Sequence, residues 1–320
     1  MNQETHEPSR KKKFQLLIWL SAAKLIFILI VVAAGVWAIY ALSHNDQAGK
    51  QSLSLGRTRA IGFAPTGHVL RVATTSGLFR YSGGHWQRLS KTALASSAPL
   101  MATRQGWLTV NTAQQKLWTY NDTGKQITRR SIHQLADGVW AVAYGTGAFS
   151  SLTRTSSGTQ LRQWSSAGVE QKAVRLASFD GHVTQLARHP SDPMQFALAT
   201  TKGLAVTSDG GRHFRFLFKG KRVTSLAYGF TKQPTLYVAL FDSVKNETAL
   251  YAVYLNKQTV VNNLDLATVE SDHVTFLASN PAYPNEVAVV TSHNDLYLTY
   301  NGGENWSVIA HKGQLLGKKN

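Results

Sequence analysis

The sequence predicts an all-β protein, a six-bladed β-propeller preceded by one N-terminal transmembrane helix. Three observations predict it: an uncharged apolar run near the N-terminus, a repeat of roughly 40 residues after it, and four short strand-like runs in each copy. Hydrophobic residues make up 43% of the 320 and charged residues 16%, too apolar a mixture for a disordered chain. At this length either two domains or one large repetitive domain is expected.

The apolar run comes first. Leu25 to Leu42 reads LIFILIVVAAGVWAIYAL without a charge, and it extends back through Phe14–Ala23 with Lys24 as the one interruption. About 20 apolar residues in a helix cross a bilayer core, so the run is long enough. No polar face divides it, which argues against a buried soluble helix. Arg10, Lys11, Lys12 and Lys13 precede it, whereas Ser43–Gly49 holds no Lys or Arg. That asymmetry places the N-terminus in the cytosol and the remainder outside, as a single-pass protein of the cell membrane. Lys24 can reach back to the inner headgroups. A cleaved signal peptide is the alternative, with Ala41-Leu42-Ser43 as its small-x-small site. Cysteine is absent, which excludes a lipid-modified cysteine anchor and any disulfide support, and leans towards a bacterial exported protein. The expected divisions are a cytosolic tail 1–13, a signal-anchor helix 14–42, a polar linker 43–57, a propeller 58–312 and a tail 313–320.

The repeats follow. From His182 the chain reads HVTQLARHPSDP, MQFALAT, KGLAVTSDGG and RHFRFLFK; from His273 it reads HVTFLASNPAYP, NEVAVVTS, HNDLYLTYNGG and ENWSVIAH. Arg59 opens a third clear copy, and looser copies begin near Pro99, Gly138 and Arg222. Each holds four runs of Val, Leu, Tyr, Phe and Thr bounded by Gly, Asn, Asp, Ser or Pro, the composition of strands and turns. A single four-stranded sheet exposes two apolar faces, and stacking sheets into a ring buries both. A seventh blade, assembled from Lys50–Leu55 and Gly313–Gly317, is the alternative count.

The turn after the third strand has its own signature. It reads Thr207-Ser208-Asp209-Gly210-Gly211-Arg212-His213-Phe214 in one copy and Thr299-Tyr300-Asn301-Gly302-Gly303-Glu304-Asn305-Trp306 in another, with Arg80–Trp86 a shorter cousin. These segments resemble the Asp-box of the BNR repeat family, S/T-x-D/N-x-G-x-x-W/F, found in sialidase-like, sortilin-like and photosystem-assembly-factor-like propellers. The turns His189–Pro193 and Asn280–Pro284 strengthen the resemblance, which implies a membrane-anchored bacterial member. Its box residues are structural: Asp209 and Asn301 accept backbone N–H bonds, Gly211 and Gly303 permit left-handed backbone, and Phe214 and Trp306 plug the turn from below.

Catalysis finds little support. The resemblance to sialidases would require an arginine triad, a Tyr–Glu nucleophile pair, an acid/base Asp and a Phe/Tyr-Arg-Ile-Pro motif; that motif is absent, and Arg71 and Arg80 stand outside such a context. No Gly-x-Ser-x-Gly, His-Glu-x-x-His or phosphate loop occurs, and the 11 histidines lack metal-ligand spacing, so neither cofactor nor metal is expected. Ligands of propellers commonly sit at the channel mouth, away from the Asp-box turns. Residues expected there are Asp137, Asp180, His182, Lys219, Lys221, Arg222, Asp272 and His273, joined by Lys202 and His293 from the second loop set. Asp preceding the inner strand, twice with a neighbouring His, suggests a polar ring for an anion or divalent ion; the plainer account is that Asp starts turns. The net charge of +17 attracts anionic partners. The sequence therefore favours a non-catalytic binding or assembly module for an envelope protein or anionic cell-wall polymer, with a degenerate glycosidase of the sialidase-like propeller type as the alternative. Location disfavours nucleic acid.

Overall fold

Alternating apolar runs and Gly- or Pro-bearing turns fold into six consecutive antiparallel sheets, seen in a computed structural model that describes residues 54–94, 99–132, 135, 138–156, 158–255, 260–268 and 271–317. The expected membrane helix 14–42, the two terminal segments 1–13 and 318–320, and Asp137 lie outside the described residues. Blade 1 holds β1 (Thr58–Phe63), β2 (Leu70–Thr74), β3 (Gly77–Ser82) and β4 (His85–Ser90). Blade 2 holds β5 (Leu100–Thr103), β6 (Gly106–Asn111), β7 (Lys116–Tyr120) and β8 (Gln126–Ser131). Blade 3 holds β9 (Val139–Val142), β10 (Phe149–Thr155), β11 (Gly158–Trp164) and β12 (Glu170–Arg175). Blade 4 comprises β13 (Val183–Arg188), β14 (Phe196–Thr200), β15 (Gly203–Thr207) and β16 (Arg215–Leu217). Blade 5 comprises β17 (Arg222–Tyr228), β18 (Thr235–Asp242), β19 (Glu247–Tyr254) and β20 (Val260–Asn263). Blade 6 comprises β21 (Val274–Ser279), β22 (Val287–Thr291), β23 (Leu296–Thr299), β24 (Ser307–His311) and β25 (Gln314–Leu315).

The first strands β1, β5, β9, β13, β17 and β21 neighbour one another in turn, and β21 meets β1, so the ring closes. Burial peaks at the second strands, because inner strands such as β5 and β13 face the channel and are only partly buried. Second strands such as LRVAT (β2), FALAT (β14) and VAVVT (β22) are buried throughout, because a neighbouring blade covers each face. Fourth strands QITRRS (β8) and EQKAVR (β12) lie at the rim and are mostly exposed. Six apolar clusters fill the six blade-to-blade interfaces, each drawn from two adjacent blades. Each buried Val or Leu there contributes about 1.5–3 kcal/mol. Inner strands also approach closely at Gly62, where a Cβ would lie 2.2 Å from the Cβ of Ala102.

The tail after 312 does not start a seventh blade. Residues Gln314 and Leu315 pair with β24 and widen the last sheet to five strands, while Ser54 bridges Gln314. Six blades result. Each is one continuous segment, so closure relies on non-covalent links between blade 6 and blade 1. On the face where inner strands begin (the back), Leu55 N donates to Gly313 O at 2.8 Å. Asn294 Oδ1 there accepts from Thr58 N at 3.0 Å and from Thr58 Oγ1 at 2.6 Å, and its Nδ2 donates to Gly56 O. On the face where inner strands end (the front), His68 Nδ1 meets Glu286 Oε2 at 2.8 Å and Asn280 Nδ2 donates to Gly67 O at 3.0 Å. Trp86 Nε1 donates to Ile309 O at 2.9 Å nearer the rim.

Asn294 holds a left-handed backbone, φ 65°, besides its two-way amide clip. Asn294→Ala is expected to lower unfolding free energy by about 2–4 kcal/mol, from a stranded Thr58 amide plus left-handed strain. Asn294→Gly should recover about 1 kcal/mol of that by relieving the strain. Urea unfolding of both variants checks this; an Asn294→Ala protein as stable as the parent would remove Asn294 from the closure.

Candidate functional site

On the back face, the sequence-predicted residues separate into groups. Asp180, Lys202 and Lys219 line one cavity of about 600 Å³ beside Phe179 and Phe216 on blade 4. Lys221 is drawn away to Asp242, Nζ to Oδ2 at 2.8 Å; the Lys221 bond and the amides of Lys245 and Val244 hold the Asp242 carboxyl down to about 2. Asp272, His273 and His293 gather on blade 6. Asp272 is wholly buried, and its Oδ1 accepts from Ser292 Oγ at 2.7 Å and His293 N at 3.1 Å. The His293 ring stands 3.7 Å from the same oxygen. His273 is lowered chiefly by burial and then by Arg222, against the pull of Asp272. His182 is exposed, as is Arg222.

The positions of His182 and His273 before the inner strand share a main-chain role. His182 N donates to Thr201 Oγ1 at 3.1 Å while Thr201 N donates back to His182 O. His273 and Ser292 repeat the exchange, as do Arg57 and Thr75. The clip joins the main chain of the first position to the amide and hydroxyl of a Thr or Ser in the next turn, so it accepts any side chain at the first position. The imidazoles are incidental to it.

The turns after the third strands are held by side chains. Thr207 Oγ1 donates to Asp209 Oδ1 at 2.8 Å, and the same oxygen accepts from Arg212 N and His213 N. Burial alone would raise the Asp209 carboxyl, but the bonds from His213, Thr207 and Arg212 outweigh it and hold it far below the usual carboxylate range. Thr299 and Asn301 repeat the arrangement, with Asn305 N on Asn301 Oδ1 at 3.0 Å. Gly211 and Gly303 have φ of 91° and 99°, and a Cβ at either would strike Leu176 or Leu264. Phe214 packs against Phe179, Phe196 and Phe216, and Trp306 Nε1 donates to Leu264 O at 2.8 Å.

The front face carries residues that the sequence reading passed over. A central cavity of about 450 Å³ is lined by the inner strands, with Arg59 and Arg188 as its charged residues. A groove of about 570 Å³ between blades 2 and 3 is lined by Arg104, Arg130, Tyr120 and Tyr144, and another of about 280 Å³ between blades 3 and 4 by Arg188, His189 and Ser191. Tyr144 donates to Phe63 O at 2.7 Å; burial raises its hydroxyl, Arg71 and Arg104 oppose that, and Asp122 adds to it. Arg71 is buried over Trp107 and clips blades 1 and 2, donating to Phe63 O, Thr103 O and Asp122 Oδ1, each at 2.6 Å. Arg188 was detectable in principle: the equivalent strand ends are Phe63, Tyr228 and Ser279, so a cation stands at a core position.

No family model matches the chain, and no curated protein does. Among solved structures it is similar to the WD40 domain of Neurospora crassa Pan2, with a TM-score of 0.50 and 13% identity over 79% of this chain and 78% of that one. It also aligns with U3-55K (TM-score 0.49, 11% identity, 82% of each chain) and with a GH74 xyloglucanase from Xanthomonas campestris (TM-score 0.48, 13% identity, 80% of this chain). The chain spans 46% of the xyloglucanase. Identities this low concern the fold alone, which is that of a β-propeller.

Buried Asp272 and exposed Asp180 differ in what they hold. Asp272→Ala is expected to cost about 2–4 kcal/mol by stranding the Ser292 and His293 donors, and Asp180→Ala less than about 0.5 kcal/mol. Denaturant melts of the two variants test the ranking, and an equal loss in both would contradict it.

Proposed function

We propose that this chain is a non-catalytic recognition module, held on the outer face of a bacterial membrane, whose partner is an envelope protein or an anionic polymer. One observation carries the reading: most of the described acidic groups are held in ion pairs or turn hydrogen bonds while basic groups line the cavities, with Asp180 the one carboxylate among the linings. Asp122 is tied to Arg71, Asp242 to Lys221, Glu286 to His68 and Asn280, and Asp295 to His311 and the Lys312 amide. Among the described residues, no carboxylate lies within 4 Å of the cationic groups of Arg104, Arg130, Lys202 or Lys219. An anion approaching these cavities meets positive potential with few internal competitors.

The bonding at Asp209 and Asn301 supports a relation to Asp-box propellers, since the box residues serve the turn. The apolar run Leu25–Leu42 with its preceding basic cluster supports the anchor and its orientation. Glycoside hydrolysis uses two carboxylates across the scissile bond. Of the cavities described above, the blade 4 cavity holds Asp180 and the others hold no Asp or Glu. That favours binding over hydrolysis.

The absence of cysteine makes topology easy to test. In intact cells, a membrane-impermeant maleimide is expected to label Ser191→Cys and to spare Thr5→Cys; the reverse pattern would invert the protein. For the partner, affinity of the full-length chain for an anionic envelope polymer should drop about tenfold or more between roughly 0.1 M and 1 M salt, as the screening length shrinks from about 10 to 3 Å. Affinity indifferent to salt would refute the electrostatic reading.

A further inference from the structure

The two front-face grooves are neighbours. Both are bordered by Thr146 and Ser166, so only the turn between β9 and β10 and that serine divide them. Neither is lined by an Asp or Glu, and the carboxylates of the surrounding strands and turns are engaged: Asp122 with Arg71, Glu170 with Arg162 at 3.8 Å, and Asp192 with Gln195 at 2.9 Å. Arg104 and Arg130 stand in the first groove, and Arg188 borders the second.

Arg188 is the unusual member. It is 7% exposed, yet its guanidinium makes one hydrogen bond, Nη1 to Ser150 Oγ at 2.7 Å, and its Nε has no acceptor among the described residues. Burial lowers its pKa, the sign of a cation short of compensation. Arg71 on blade 1 is buried more deeply, at 1% exposed, and likewise has no acceptor at Nε, but it has its carboxylate in Asp122. A buried charge without a counter-charge is costly, and an anionic group in the groove beside Arg188 would supply one.

We propose that a linear anionic polymer lies across blades 2 to 4 on the front face, with its phosphate or carboxylate groups taken by Arg104 and Arg130 in one groove and by Arg188 in the next. This rests on the recognition reading above and names its ligand class and its surface. A chain fits better than a globular partner. The grooves are edged by the hydroxyls of Thr146, Ser166 and Ser191, and most of the exposed large apolar residues lie elsewhere, with Tyr283, Tyr300, Val308 and Leu316 on blade 6, so an apolar partner face is not what these grooves offer.

The test uses the full-length chain, with polyphosphate and poly-L-glutamate as probes and neutral dextran as the control. Arg104→Ala/Arg130→Ala is expected to weaken binding about tenfold, whereas the back-face pair Lys202→Ala/Lys219→Ala should leave it within about twofold. Arg188→Gln, checked for folding by circular dichroism, should weaken it as well. Selective retention of polyphosphate assigns phosphate as the recognised group, and of poly-L-glutamate, carboxylate; either supports the proposal. Equal losses in both double variants, or none in the groove variant, overturn the groove assignment while leaving an anionic partner intact. A parent protein that binds neither polymer overturns the proposal and leaves the envelope-protein half of the functional reading standing.

Discussion

The joint between the last blade and the first has no covalent continuity, yet the ring depends on it. Second strands such as β14 and β22 are buried on both faces, so each blade needs a neighbour on either side. Five of the six interfaces join segments that follow one another along the chain. The sixth must be made by parts some 220 residues apart, at the cost of loop-closure entropy. An apolar cluster drawn from Leu55 to Tyr81 and from Ala278 to Ala310 fills it, and polar clips secure it at both faces, Asn294 at the back and the His68–Glu286 pair at the front. The clips add direction to the burial: they fix register where apolar packing alone would allow the blades to slide.

The same economy of polar groups shapes the surface. In a basic chain, a carboxylate fixed in a turn or a clip is not available to pair with the cations lining the cavities. Asp209 closes a hairpin, Asp242 holds Lys221, Glu286 seals the joint, and Asp272 caps the turn at Ser292 and His293. What remains facing outward is mostly Arg and Lys. The electrostatic character of the protein thus follows from how its turns are built.

The repeat was readable because second strands such as FALAT and VAVVT are largely apolar and the turns carry Gly, Asn and Asp at recurring offsets, whereas β10, FSSLTRT, departs from the pattern. Blade number was readable to within the tail, where two residues, Gln314 and Leu315, contain too little pattern to show that they join an existing sheet. Turn sequences mislead in another way. Thr74-Thr75-Ser76-Gly77 and Thr200-Thr201-Lys202-Gly203 join second to third strands, yet the similar Thr103-Arg104-Gln105-Gly106 joins first to second in blade 2. A tight turn specifies its own dihedral angles and says nothing of which hairpin it closes. The repeated Asp and His residues are visible in the sequence, whereas the exchange that ties the His182 and His273 main chain to Thr201 and Ser292 emerges only from the fold. Arg188 shows the converse: its identity was plain, but its lack of a carboxylate partner emerges only from three dimensions.

Regularity is distributed unevenly round the ring, and the grooves follow the irregularity. Blades 1, 4 and 6 have inner strands of six residues and share the clip between strand start and second turn. Blades 2 and 3 have inner strands of only four, β5 and β9. The loops at their ends also differ from the repeat: Arg104–Gln105 is a two-residue turn where blades 1, 4 and 6 have six or seven residues, and Tyr144 in the loop after β9 reaches to blade 1. The two blades that close the ring can vary little, since Asn294, Glu286 and Trp86 must meet partners across the joint. Blades far from the joint bear no such demand, and there the chain can afford departures from the repeat: a tyrosine reaching across to Phe63 O, and an arginine at a position otherwise held by Phe, Tyr or Ser.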